Sequence, residues 1–327
     1  MSAGGPYFDE LTAGQVFPAV AGVTLTDGLA AGHQAIVGDR LALSLDAALA
    51  GEVTGSLGQR PANPALVWDV AIGQSTVATH RVRANLFYRG LWFRRLPVIG
   101  DTLRTTTRVE GLRQNRPREG RAATGLAALR ITTVDQHERP VLDFWRCAML
   151  PLRDPDGQTG HADDLDAVGA AAKPASPAVL LDGWRLDRFA AQGFWPQYGD
   201  LVPGEVIEVD GGDVVSSAPE LARLTLNVAR VHHDEQAAGG TRLVYGGHTI
   251  GIALSQAARA LPGLVTVTGW HSCDHLGPVH EGDTLRSSVE IESAQPLGAG
   301  GLVGLRSRVY SGPGQQVLDW RLVAVLA

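Results

Sequence analysis

Gly100-Asp-Thr-Leu-Arg104 returns 182 residues later as Gly282-Asp-Thr-Leu-Arg286. Outward from this pair, two more segments recur in the same order. Phe8-Asp-Glu-Leu-Thr-Ala-Gly-Gln-Val16 comes back as Tyr198-Gly-Asp-Leu-Val-Pro-Gly-Glu-Val206, and Val141-Leu-Asp-Phe-Trp-Arg146 as Val317-Leu-Asp-Trp-Arg321, which reads as one residue shorter. The offsets of 190, 182 and 176 drift with loop length but keep their order. That marks a duplicated domain, since two copies are too few for a solenoid. A chain of 327 residues, 44% of them hydrophobic, fills two cores of about 150 residues better than one. The expected division is residues 1–152, a linker at 153–180 that is rich in Ala, Pro, Gly and Asp, and residues 181–327.

Each copy carries three stretches in which apolar and polar residues alternate between Gly, Pro and Asp turns. They are 103–109, 126–134 and 141–150, then 285–291, 302–310 and 317–326. This pattern predicts antiparallel hairpins. Ahead of them in the second copy, Ile250, Ala253, Leu254, Ala257, Ala258 and Leu261 keep helical spacing over 247–261, and Pro262-Gly263 ends the run. Residues 65–74 are the weaker counterpart in the first copy. The reading is an α+β fold in which an antiparallel sheet wraps around a largely apolar helix, twice over.

Composition excludes several classes. The net charge of −6 gives no general drive towards nucleic acid. Cys147 and Cys273 are the only cysteines, far apart and in no metal or redox spacing, which suits a reducing compartment. Residues 1–7 lack the basic and apolar regions of a signal peptide, and 317–327 is too short and too charged to span a bilayer. A cytoplasmic protein is expected, with no membrane or nucleic-acid partner. There is no GxSxG elbow, Walker loop or dinucleotide GxGxxG.

The motifs resemble those of the MaoC-type acyl-CoA dehydratases and hydratases, whose signature is a Gly-Asp-x-Asn-Pro-x-His loop leading into the central helix of a hot-dog fold. The first copy has Gly38-Asp39-Arg-Leu-Ala-Leu-Ser44, with serine in the histidine position. The second has Leu226-Asn227-Val-Ala-Arg-Val-His232, with asparagine in the aspartate position. The tandem length, Ala84-Asn85-Leu86-x-Tyr88, Arg242-Leu-Val-Tyr-Gly-Gly-His248 and His275-x-x-Pro278 are similar to the mesaconyl-CoA hydratases (β-methylmalyl-CoA dehydratases). The resemblance implies a double hot-dog with its active site in the second copy and a degenerate one in the first.

It also implies reversible hydration of an enoyl-CoA, short and branched or dicarboxylic, with coenzyme A as part of the substrate and no separate cofactor. Such chemistry needs a base for water, a proton donor to Cα and hydrogen-bond donors on the thioester oxygen. His232 is the expected base. Gly246 and Gly247, at a helix start, are expected to offer amides and close approach. Asn227 can hold water or fix the imidazole. His232 then works alone through one water, or Asp234 is recruited. Arg230, Arg242, Tyr245, His248 and His275 are the candidate substrate contacts around this site. Eleven arginines stand between residues 81 and 121. Arg89, Arg94 and Arg95 among them are candidates for a phosphate clamp, since guanidinium forks suit phosphate; a solvated strand face is the plainer alternative. His271 and His275 have a zinc-like spacing but fall on a strand, so no metal is expected. An acyl-CoA thioesterase and a non-catalytic acyl-CoA binding module stay open as alternatives, the former weakened by the lack of a carboxylate on the 247–261 helix. A homo-oligomer, a dimer of double hot-dogs, is the expected assembly.

Overall fold

The computed structural model describes residues 4–18, 21–56, 59–117 and 119–327; Arg118 of the arginine-rich run lies outside them. All six alternating stretches are strands. With two more they form β1 (Ala84–Phe93), β2 (Thr102–Gln114), β3 (Thr124–Val134), β4 (Pro140–Pro151), β5 (Leu264–His275), β6 (Thr284–Leu297), β7 (Gly300–Ser311) and β8 (Gln315–Leu326). They lie in the order β2-β3-β4-β1-β5-β8-β7-β6 within one antiparallel 12-stranded sheet, with short strands beside β2 and β6. The two sheets expected from the sequence are therefore one. Their seam is β1 against β5, where Tyr88 pairs with Cys273 and Leu91 with Trp270.

The helices that matter to the site are α1 (Asp27–Val37), α2 (Pro64–Ser75), α3 (Ala218–Leu224) and α4 (Gly246–Ala260). At the start of α2 the Asn63 side chain accepts the Ala65 N–H at 2.6 Å. Pro64 follows at the first helical position, where a missing N–H is tolerated. Every residue of α2 is buried, which is why its sequence shows no amphipathic period. α2 and α4 pack against each other inside the curved sheet. Trp68, Trp270 and Trp320, contributed by both copies, meet edge-on with centroids 5.0–5.9 Å apart.

Repeated hydrogen bonds show how the copies correspond. The Gln74 side chain donates to the Leu103 carbonyl at 3.1 Å and that of Gln256 to the Leu285 carbonyl at 2.9 Å, which fixes α2 on α4 at the 182-residue offset. Pro64-Ala65 therefore stands where the second copy has Gly246-Gly247. A second correction concerns β4 and β8. Arg130 forks onto Asp143 at 3.0 and 2.8 Å, as Arg306 does onto Asp319 at 2.8 and 2.6 Å. In register, Arg130 lies opposite Trp145 and Arg306 opposite Arg321. No residue is missing from β8: Trp145 matches Arg321, and Arg146 matches Leu322.

The stretch 153–180 is mostly irregular but packed. Ala162 bridges Arg113, Asp163 accepts the Leu112 N–H at 2.8 Å, and Leu165 is buried. Among the described residues no helix is long and apolar enough to cross a membrane.

Candidate active site

A cavity of about 300 Å³ opens between the two copies. The second copy lines it with Asn227, His232, Tyr245, Gly246, Thr249 and His275, and the first with Ile72, Thr76, Asn85, Tyr88 and Arg146. The chemistry thus has walls from both copies rather than from the second alone, because β1 and β5 meet beside the paired helices. No carboxylate is among the lining residues.

The loop between α3 and α4 delivers the first two groups. Leu226 turns left-handed at φ 57°, an uncommon conformation for its type, and the buried Asn227 follows it. The Asn227 side-chain oxygen accepts the Ala229 N–H at 3.0 Å, while its amide nitrogen, buried in the cavity wall, has no partner among the described residues. Asp39 makes the same turn in the first copy, accepting the Leu41 N–H at 2.9 Å, so the two residues are structural equivalents. Five residues on, His232 closes a short 3₁₀ turn. Its Nδ1 lies 2.9 Å from the Leu243 carbonyl. A carbonyl only accepts, so Nδ1 carries the proton and Nε2 presents a lone pair. Burial pushes the His232 pKa down to about 4, against the opposing effect of the Leu243 carbonyl, leaving a neutral imidazole at pH 7.

The two glycines have different surroundings. A Cβ on Gly246 would sit 2.9 Å from His275 Nε2 and 3.4 Å from the Tyr88 hydroxyl, facing the cavity. A Cβ on Gly247 would sit 2.0 Å from Asp69 Oδ1 and 2.6 Å from the Tyr245 ring, facing the core. Gly246 therefore gives a ligand close access to the start of α4, where the first amides have no intrahelical acceptor. Gly247 instead admits a buried network: Asp69 meets His33 Nε2 at 3.0 Å, and the Tyr245 hydroxyl donates to the Asp69 carbonyl at 2.9 Å.

Two of the predicted contacts stay at the cavity, Tyr245 and His275. His275 Nε2 has no hydrogen-bond partner among the described residues, and burial pushes its pKa down to about 4. His248 does not line the cavity. Two residues past Gly246 on α4, it is completely buried, with neither ring nitrogen bonded among the described residues and a pKa that burial, then His33, push to about 4. Arg242 is also displaced, held by Glu281 at 3.1 Å. The proposed clamp of Arg89, Arg94 and Arg95 is elsewhere altogether. Arg89 donates to the Asp166 carbonyl and Arg94 to the Lys173 carbonyl, so both fasten the linker, while Arg95 bonds Asp101 and Asp135 at 2.9 and 2.7 Å.

Arg230 lies instead in an adjoining groove of about 360 Å³ with Tyr7, His80, Arg81 and Arg83, which shares Val82 and Arg83 with the cavity. Burial first, then Arg230 and Arg81, lower the pKa of His80, as expected in a positive field. Sequence reasoning had counted Arg81 and Arg83 without singling them out, and had missed Arg146 and Tyr88 as lining residues.

No family model matches the chain. It is 30% identical over 316 residues to the mesaconyl-CoA hydratase of Cereibacter sphaeroides, covering 94% of this chain and 89% of that protein. This chain belongs to the mesaconyl-CoA hydratase family. It is also 29% identical over 298 residues to the β-methylmalyl-CoA dehydratase of Chloroflexus aurantiacus, with 88% and 82% covered. Among solved structures, a conserved hypothetical protein of Mycobacterium tuberculosis described as a double hot-dog is 55% identical over the whole of both chains, with a TM-score of 0.94. A putative MaoC domain dehydratase from Chloroflexus aurantiacus is 25% identical, with 100% and 99% covered and a TM-score of 0.82. The double hot-dog architecture and the hydro-lyase family read from the motifs both stand.

Proposed function

We propose that the protein catalyses the reversible hydration of an enoyl-CoA thioester in the cavity between its two copies, with His232 moving both protons. The observation that carries this reading is the commitment of His232 Nδ1 to the Leu243 carbonyl, which leaves a basic Nε2 at a cavity without carboxylates. A water held between Nε2 and the unpartnered Asn227 amide donor gives its proton to His232 as its oxygen bonds to Cβ. The electron pair moves onto the thioester oxygen as an enolate. The amide of Gly246, at the positive end of α4, is the donor for that oxygen. The imidazolium then returns the proton to Cα, so His232 ends neutral and one water has been added. Asn227 orients and carries no proton, which makes Asp234 unnecessary.

The first-copy counterpart lacks both the base and the oxyanion donor. Ser44 replaces the base, and Pro64 has no N–H to offer. The arginine groove beside the cavity, unlike the Arg89–Arg95 region, is the expected seat of the coenzyme A phosphates, and coenzyme A enters only as part of the substrate. A thioesterase reading finds no attacking carboxylate: Asp69 on α2 is fully buried and engaged with His33 and Tyr245. The test is incubation with mesaconyl-CoA and crotonyl-CoA, following loss of enoyl absorbance and formation of the 3-hydroxyacyl product. Hydration of either supports the reading; thiol release without hydration, or binding without turnover, overturns it.

A further inference from the structure

Among the described residues Arg146 is the one charged side chain buried in the wall of the catalytic cavity, and no acid pairs with it. It is 2% exposed. Nη2 donates to the Ser75 carbonyl at 3.2 Å and the Thr79 hydroxyl at 2.8 Å, while Nε has no partner and Nη1 makes no bond among the described residues. Placement at the end of α2 gives the cation some relief from the helix dipole, but a buried charge without a counter-ion is costly. The second copy shows what the fold itself asks for at this position. In strand register Arg146 replaces Leu322, a core residue 1% exposed. The sequence repeat hides this, because Arg146 matches Arg321 by eye. Arg321 is one position off, points outward and pairs with Glu292 at 3.1 Å; a one-residue offset in a strand exchanges the two faces.

Resting on the hydratase reading above, we infer that Arg146 is a specificity-determining residue that receives a carboxylate carried by the acyl chain of the substrate. The thioester end is fixed by Gly246 and the phosphates by the exposed arginines at the mouth, so the anion inside the cavity belongs to the acyl group. The unused Nη1 and Nε lie on different edges of the guanidinium, so each offers a single charge-assisted hydrogen bond to a carboxylate oxygen.

The test compares two enoyl thioesters that differ only at the far carbon, fumaryl-CoA with a carboxylate and crotonyl-CoA with a methyl group. The wild type is expected to favour fumaryl-CoA in kcat/KM by about 30-fold or more, the low end for a buried charge pair. Arg146→Gln should bring that ratio to within a few-fold of one, and Arg146→Lys should keep part of it. A wild type without preference, or an Arg146→Gln variant that slows both substrates with the ratio unchanged, would overturn the assignment and leave the hydratase reading intact. If neither of these nor mesaconyl-CoA is hydrated, the hydratase reading fails. The competition between succinyl-CoA and butyryl-CoA for binding to the wild type, by calorimetry, then decides the role of Arg146 alone: preference for succinyl-CoA supports it and equal affinity sinks it. The same binding ratio stands in for Arg146→Gln should that variant not fold, with Arg146→Lys as the second protein.

Discussion

Adding one methyl group to each of the adjacent glycines at the start of α4 should have opposite consequences. At position 247 the new Cβ meets Asp69 Oδ1 at 2.0 Å and the Tyr245 ring at 2.6 Å. Neither can retreat cheaply, since Asp69 is pinned by His33 and Tyr245 by its bond to Asp69. Overpacking costs about 1–3 kcal/mol and a broken buried hydrogen bond about 1–3 kcal/mol more. The better helix propensity of alanine returns about 1 kcal/mol. Gly247→Ala should therefore lose about 1–5 kcal/mol, a fall in Tm of roughly 2–7 °C for a chain of this size. At position 246 the nearest atoms belong to the cavity-lining side chains of His275 and Tyr88, at 2.9 and 3.4 Å, which have open space to yield into. Gly246→Ala should melt within about 2 °C of wild type. Its methyl group would crowd the place where the thioester oxygen meets the helix amide, and turnover should drop about 10²–10³-fold, as for loss of an oxyanion donor. Calorimetry and the enoyl absorbance assay on the same preparations decide. A Gly246→Ala variant that melts early but turns over normally, or a Gly247→Ala variant with undiminished Tm, would refute this division of labour.

Acid should destabilise the protein earlier than its carboxylates require. His232 and His248 are neutral in the fold with pKa values near 4, and near 6.5 once unfolded. The unfolded chain therefore binds more protons between these values, and stability falls as pH drops from about 6.5 towards 4. For the unbonded His248 the full effect is about 3 kcal/mol. His248→Phe, which discards no hydrogen bond, should show a smaller Tm loss between pH 7 and pH 5 than wild type; an equal loss would count against a buried neutral imidazole. The coenzyme A groove predicts that Arg83→Ala raises KM for acyl-CoA about 3–10-fold, as for one lost hydrogen bond at an exposed site, whereas Arg94→Ala leaves KM unchanged. The reverse order would restore the phosphate clamp to the Arg89–Arg95 region.

Much of the fold was readable where one face of an element meets water. β2, β3 and β4, like β6, β7 and β8, alternate cleanly, as in the β2 segment 102–109 with every second residue buried. The two seam strands did not announce their pairing. β1 and β5 are covered on both faces over much of their length, so their period of two is lost, and no local pattern says that they join the copies. α1 also escaped, although Thr26 accepts the Leu29 N–H at its start and Gly38 turns left-handed at its end, the two cap signals that would have found it. Within the site, His232, Asn227, Tyr245, Gly246 and His275 were placed together by their motif spacing. Arg146 was not, because its role follows from strand register, which a repeat aligned by eye shifted by one residue. The arginine run misled for a related reason: composition records charge but not the face on which β1 presents it, and Arg89 and Arg94 are spent on holding the linker.

The central claim is that a single neutral imidazole moves both protons, and His232→Ala tests it most directly. With mesaconyl-CoA or whichever enoyl-CoA the wild type hydrates best, kcat should fall by about 10³-fold or more, the range for loss of a general acid–base group, while the melting temperature and substrate binding are retained. A His232→Ala protein that turns over at the wild-type rate would contradict the account.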